Sequence, residues 1–261
     1  MTGDLFDALR AAVGRDEPVA LATIIEGPGV GGKLLVGPEQ EAIGTLGNPG
    51  IDAVVLRDAL GELAAGRTTT RHYGEHGEAR EETVTVFIES FTVPPRMIIF
   101  GAVDFTGALV KVAKLLGYRV TVCDARRVFA TPRRFPLADE VVNEWPDRFL
   151  EARGARLGPR DAVCVLTHDH KFDIPAIVGA CNTGVGYIGA MGSRRTHQER
   201  IGLLRDAGLD DAGLARVRAP IGLDLGGRTP EETAISIVAE IIALRTGREA
   251  GALSASAGPI H

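Results

Sequence analysis

The chain has 261 residues, 45% of them hydrophobic and 24% charged, with a formal net charge of −5; these are ordinary globular values with room for about two domains. The acidic balance argues against nucleic acid as a partner, and no apolar run approaches the roughly 18 residues of a membrane span. The opening MTGDLFDALR carries acids and no apolar signal core, so a cytoplasmic protein is expected.

Residues 1–92 read as a small α+β domain. Residues 5–13 suit a short helix, Val19–Glu26 (VALATIIE) a strand, and 33–36 a second strand beyond the loop GPGVGG. Residues 27–33 match GxxxxGK, the start of a P-loop. Leu34, however, stands where a magnesium-binding Ser or Thr belongs, and a strand follows instead of a helix, so a glycine-rich hairpin is expected. A short strand over 42–47, a helix from Pro49 to Ala65, and a strand pair (68–73 and 83–88) around the polar turn GEHGEARE complete the domain. Val93-Pro94-Pro95-Arg96 continues neither a helix nor a strand and marks a boundary.

Met97–Phe100 is an apolar run that enters a glycine-containing turn, Gly101–Gly107. Leu109, Val112, Ala113 and Leu116 follow at the spacing of one helix face, and Gly117 stands where a helix C-terminal glycine belongs. Val120–Cys123 is a second strand, ending in Asp124, 23 residues after Gly101. Strand, glycine turn, helix, strand and acid open a dinucleotide-type βαβ unit, in which the turn takes a pyrophosphate and the acid a ribose hydroxyl. The expected class is therefore α/β: a Rossmann-like, mostly parallel sheet over 97–248, preceded by the α+β domain and followed by a loose tail, 249–261.

The turn is irregular. Val103 replaces the second glycine of the fingerprint, and its branched side chain obstructs the approach of a pyrophosphate. Asp104 stands just ahead of the helix, where it either closes the phosphate subsite or is simply an N-cap. Gly101, Asp104, Thr106 and Asp124 are the ligand-binding candidates of this unit. Arg126 joins them from the arginine- and proline-rich loop RRVFATPRRFP, where it and Arg127 could meet a 2′-phosphate.

Beyond the loop, 140–142 reads as a short strand and 146–152 as a short helix. The continuous apolar strand 161–167 is of the kind buried on both faces of a parallel sheet. It ends in HDHKFD, where ligand groups collect in open α/β sheets, and His168, Asp169 and His170 are candidates there. Two histidines at i, i+2 without a third disfavour a metal, and a polar crevice rim with a titratable imidazole is the better reading. A helix over 174–181 and a strand over 185–190 follow. Met191–Thr196 then starts a helix that runs to Ala207. Arg194 and Arg195 in its first turn oppose the positive end of the helix dipole. Either an anion held by the amides of Gly192 and Ser193 offsets them, or they face solvent or pair with acids such as Glu199. Thr229, Pro230 and Glu232 form a capping box and N1 proline for a last helix, Pro230–Thr246.

Cys123, Cys164 and Cys181 are far apart and form no CxxC pair, so neither a disulfide nor a zinc framework is expected. Cys123 and Cys164 lie in apolar runs, and only Cys181 is a candidate for an accessible thiol. No GxSxG, HExxH or cysteine–base pair is present. No catalytic or metal-ligating residue is nominated, and binding is favoured over turnover.

The motifs LTHDHKFDIPA, YIGAMGSRRTHQER and APIGLDLGGRTPEETAISIVAEIIA, with VTVCDARRVFATPRRFP and the closing GPIH, resemble those of the XdhC/CoxI family. The likeness is dense from Met97 to about Arg248, and VALATIIE and KLLVGP resemble the family's smaller N-terminal domain. It implies an accessory factor for molybdenum hydroxylases such as xanthine dehydrogenase and carbon monoxide dehydrogenase. Such a factor binds the molybdenum cofactor, assists installation of its terminal sulfur with a cysteine desulfurase, delivers it to the apo-enzyme, and commonly acts as a homodimer. The chain departs from the family pattern in three places. GPGVGGK replaces a GSSPR-type loop, GNPGID replaces a Gly-Gly-Cys-Val-Glu turn, and GAVDFT replaces GAGHVG. Any role of the missing cysteine does not carry over.

The leading expectation is thus a molybdenum-cofactor maturation and insertion factor, with the cofactor's phosphate facing Arg126, Arg127, Arg133, Arg134, Arg194 and Arg195. An NAD(P)-dependent oxidoreductase is the alternative that Val103 and Asp104 disfavour. A scaffold or ligand-sensing partner of the hydroxylase, carrying no cofactor, is the third.

Overall fold

The first strand is a near-continuous apolar run buried on both faces, and it organises the N-terminal unit. The computed structural model describes residues 2–15, 17–38, 40–77 and 83–255; the closing GPIH and the second half of the turn GEHGEARE lie outside the described residues. The chain divides into two units, Met1–Val93 and Pro94–His261.

The first unit runs α1 (Thr2–Gly14), β1 (Val19–Glu26), β2 (Lys33–Gly37), β3 (Gln40–Thr45), α2 (Pro49–Ala65), β4 (Thr69–Tyr73) and β5 (Val84–Phe91). Its five strands form an antiparallel sheet in the order β3-β2-β1-β5-β4. Side chains two apart share a sheet face. Ala20, Ala22 and Ile24 of β1 therefore join Val84, Val86 and Ile88 of β5 under Ile51, Val55, Ala59 and Leu63, which recur every fourth residue of α2. Val19 and Leu21 point the other way and pack with Leu5 and Ala12 of α1. Asn48 caps α2 by accepting from Gly50 N at 2.7 Å. The GxxxxGK look-alike is the connection of the β1–β2 hairpin. There Gly27 has φ +94°, and a Cβ on it would meet Thr83 O at 2.1 Å.

The second unit runs β6 (Arg96–Phe100), α3 (Asp104–Leu115), β7 (Arg119–Cys123), β8 (Glu140–Val142), α4 (Pro146–Arg153), β9 (Ala162–Val165), α5 (His170–Cys181), β10 (Tyr187–Ala190), α6 (Arg194–Asp206), α7 (Asp211–Ala215), β11 (Val217–Arg218) and α8 (Pro230–Thr246). Its six strands are all parallel, in the order β11-β10-β9-β6-β7-β8. Counted within the unit this is 3-2-1-4-5-6 read from the β8 edge, the order of a Rossmann sheet. Met97, Ile99, Val120 and Val122 pack on α3 and α8 on one face. Ile98, Phe100, Val163 and Val165 meet α4 and α5 on the other. The strand order reverses between β6 and β9, which opens a crevice at their carboxyl ends.

Several element boundaries shift by a few residues from the sequence reading, and two of these shifts bear on the site. α5 begins at His170 rather than Ile174, because Asp169 caps it and draws His170–Asp173 into its first turn. α6 begins only at Arg194, with Ser193 as its cap. β11 and α7 were not anticipated, since two and five residues are too short for periodicity to register. No helix among the described residues is long and apolar enough to cross a membrane.

Candidate functional site

The βαβ turn needs its glycine for a close approach. Gly101 has φ +114°, and a Cβ there would lie 2.6 Å from Thr167 Cγ2, because β6 and β9 run side by side. Asp104 is not the helix cap. Val103 occupies that position, and Asp104 is the first helical residue, with its side chain 94% exposed and the Arg134 guanidinium 3.9 Å away. The capping work falls to Thr106, which is wholly buried: its hydroxyl donates to Gly101 O at 2.5 Å and accepts from Val103 N at 3.3 Å. Thr106 thus holds the turn together from beneath.

Asp124 is saturated by its own chain. Oδ1 accepts from Arg126 N and Nε at 2.9 Å each, and Oδ2 from Arg126 Nη2 at 2.7 Å and Ala102 N at 2.8 Å. Burial alone would raise its carboxyl pKa, but the Arg126 guanidinium and these amides hold it below the usual carboxylate range. Four donors on two oxygens leave little capacity for a ribose hydroxyl.

Arg126 in turn lies in a file of flat groups. Its guanidinium carbon is 4.8 Å from the Phe129 ring centroid and 5.7 Å from that of Phe172. Trp145 stacks on Phe172, with centroids 4.5 Å apart and planes within 5°. Arg134 reaches Phe129 from another side at 5.7 Å and donates to the carbonyls of Ala102 and Phe129. Asn143 Nδ2 donates to Ala130 O at 2.9 Å and ties the arginine loop to the segment carrying Trp145.

His168 and Asp169 are exposed beyond β9, and Asp169 Oδ1 accepts from Lys171 N at 3.0 Å as the cap of α5. His170 is half-buried and its Nδ1 has no hydrogen-bond partner among the described residues. Asp173, one helical turn on, is fully buried. It accepts from the Thr167 hydroxyl and, at 2.8 Å, from Nη2 of the equally buried Arg200, which also donates to Met191 O. Burial pushes the Asp173 carboxyl up, against the pull of Thr167 and Arg200. Arg200 was not a sequence candidate. Its one readable signal is its phase, four residues before the buried Leu204 on the inner side of α6.

Gly192 and Ser193 begin α6 on the same carboxyl edge, two strands or roughly 10 Å from β6. Ser193 Oγ accepts from Thr196 N at 3.1 Å. Arg194 is exposed, and Arg195 pairs with Glu199 at 3.1 Å, the two side chains 90% and 55% exposed. The structure thus shows the pairing with Glu199 that the sequence left open for Arg195. No thiol is set up as a nucleophile. Burial pushes Cys123 up to about 12, and Cys164 and Cys181 are likewise raised by burial. In the GNPGID turn, Asn48 caps α2 and its Nδ2 also meets His76 Nδ1 at 2.6 Å, while Asp52 accepts from Leu46 N and the Thr45 hydroxyl at 2.7 Å each.

The carboxyl edge therefore brings together Gly101, Asp124, Arg126, His168 and Asp169, with Gly192–Arg195 further along it. Residues missed in the sequence reading are Phe129, Trp145 and Phe172. Only their aromatic type in otherwise polar loops could have signalled them.

Known proteins resemble this chain in sequence and in fold. The model of the XdhC Rossmann domain matches residues 97–241, and that of the XdhC and CoxI family matches residues 12–74. An uncharacterised Escherichia coli protein, YqeB, is 27% identical over 254 residues, covering 93% of this chain and 46% of its own length. A probable xanthine dehydrogenase subunit of Bacillus subtilis is 31% identical over 165 residues, covering 63% of this chain and 47% of its own. The molybdenum cofactor insertion chaperone PaoD of Escherichia coli is 31% identical over 103 residues, covering 40% of this chain and 32% of its own. The chain spans about half the length or less of these relatives. A crystal structure described as a xanthine dehydrogenase from Bacillus halodurans shares the fold, with a TM-score of 0.53 at 21% identity, covering 97% of this chain and 98% of that one. With more than half of its residues matched by the Rossmann-domain model alone, the chain belongs to the XdhC and CoxI family.

Proposed function

We propose that the protein is an accessory factor for a molybdenum hydroxylase of the xanthine dehydrogenase or carbon monoxide dehydrogenase type. It binds the molybdenum cofactor as cargo, presents it for installation of the terminal sulfur, and delivers it to the apo-enzyme. The observation that carries this reading is the fate of the nucleotide fingerprint. Asp124 is saturated by Arg126 and Ala102, while Arg126, Arg127, Arg133 and Arg134 crowd the adjoining loop. A site losing its ribose acceptor while keeping cations suits a phosphate-bearing pterin better than a nicotinamide dinucleotide. Relatives named as a molybdenum cofactor insertion chaperone and a xanthine dehydrogenase subunit support the same reading.

The raised thiols bear on the sulfur step. Burial raises all three thiols, which supports a sulfur supply from a separate cysteine desulfurase over a reactive thiol of this chain. A homodimer belongs to the proposal on the family resemblance alone, and sedimentation tests it.

The deciding experiment purifies the protein from cells that make the cofactor, identifies its small molecules by mass spectrometry, and adds it to apo-hydroxylase. A co-purifying pterin phosphate together with hydroxylase activation is the expected result. Nicotinamide nucleotide in place of pterin sinks the proposal. Activation without any bound pterin favours the scaffold reading.

A further inference from the structure

Phe129, Trp145 and Phe172 belong to neither core of the second unit. Trp145 and Phe129 are each 42% exposed. The local structure does not explain the choice of Trp145, because it stands at the N-cap of α4, where a short polar side chain is preferred, and makes no capping bond. Phe172 is the third residue of α5, a position where a polar partner for the cap is usual. Leaving aromatic surface in water at two helix starts forfeits burial free energy, and neither start gains a cap bond from it.

Together these side chains form an ordered file: Phe129, the Arg126 guanidinium, Phe172, then Trp145. Phe172 covers one face of the Trp145 ring, and no other ring contact to Trp145 occurs among the described residues. Planar π systems stack on such platforms, and a guanidinium in the file strengthens them through cation–π attraction.

One carboxylate, Asp169, lies close enough to the file for its charge to act on Arg126. Asp169 caps the helix turn that carries Phe172 and commits only Oδ1, to Lys171 N, leaving Oδ2 without a hydrogen bond among the described residues. Glu144 directly precedes Trp145, and its backbone carbonyl accepts from the Cys123 thiol at 3.5 Å. A carboxylate presents two acceptors side by side. A fused ring with a 2-amino-4-oxo edge offers the matching pair of N–H donors, whereas adenine has only its single amino group on that edge.

We propose that the exposed part of the Trp145 ring stacks a 2-amino-4-oxo fused ring, the pterin of the cargo, with Asp169 taking its paired N–H edge. This rests on the proposed cargo and assigns the ring end of the ligand to the α4–α5 side of the crevice, with Arg126 and Arg134 left for the phosphate end.

Trp145 is the sole tryptophan of the chain, so its emission reports on this one place. The probes are neopterin monophosphate, GMP, AMP and inorganic phosphate, followed by tryptophan emission and by calorimetry. Neopterin monophosphate is expected to quench saturably, AMP to act at least about tenfold more weakly, and inorganic phosphate not to quench. Trp145→Ala should weaken pterin binding roughly tenfold in calorimetry, and Trp145→Phe by no more than about threefold. GMP binding better than the pterin overturns the pterin assignment, and AMP matching the pterin overturns the edge chemistry. Unchanged binding by Trp145→Ala, while the loaded protein still activates apo-hydroxylase, removes the platform and leaves the accessory role. No pterin bound by any route removes both.

Discussion

Asp124 shows how one residue can keep its place in a motif and change its work. In a dinucleotide site the acid after the second strand is free to accept from a ribose; here Arg126, two residues later, has taken it. The folded carboxyl is held below its usual range, so its stabilisation is present above the unfolded pKa of about 3.9 and is lost as pH falls through the lower folded value. Asp124→Asn should lower stability at pH 7 by about 1–3 kcal/mol, and its acid-denaturation limb should be shallower than that of the wild type. Thermal melts from pH 7 to pH 3 check both, and parallel limbs would refute the linkage. The Asp173–Arg200 pair is a harder constraint, since both side chains are wholly buried. Asp173→Ala strands a buried guanidinium and should cost about 3–5 kcal/mol in chemical denaturation, with the Asp173→Leu/Arg200→Met double variant recovering part of it.

At the level of elements, helix starts decide where chemistry can occur. Asp169 pulls α5 back to His170, so HDHKFD contains a helix cap and a first helical turn. That places Asp173 inward beside Arg200 and leaves His168 and Asp169 outward. At α6 the cap is Ser193, and two arginines follow in the turn where the dipole is positive. The exposed Arg195–Glu199 pair contributes little. Replacing both Arg194 and Arg195 with Ala should leave the melting temperature within about 2 °C, while affinity for the phosphate-bearing cargo falls roughly tenfold. A lower melting temperature with an unchanged ligand-induced shift would make the arginines structural.

For the whole molecule, the strand order is that of a dinucleotide-binding sheet, yet the turn at its switch point departs from the glycine fingerprint at Val103. Val103 stands where a backbone approach is needed, and the acid beyond is occupied. NAD(H) and NADP(H) are accordingly expected to bind only weakly. Low-micromolar affinity in calorimetry, lost on Asp124→Ala, would contradict this. Fold family alone does not fix the ligand, because sheet order depends on the pattern of buried strands, whereas ligand choice depends on a few side chains at their ends.

The sequence by itself determined the βαβ unit, the α/β class, and the spans of β1, α2 and α8. Each rests on local rules: the apolar run VALATIIE, the proline opening α2, and the capping box around Pro230. It also marked Val103 as an obstacle. Tertiary structure alone decided that Asp124 is taken by Arg126 and that Arg200 is buried against Asp173. It likewise decided that Phe129, Phe172 and Trp145, from three separate segments, stand in one file. Those contacts join residues up to 46 positions apart, and no periodicity or cap carries information over such a separation, since it is the twist and order of the parallel strands that brings their carboxyl ends together.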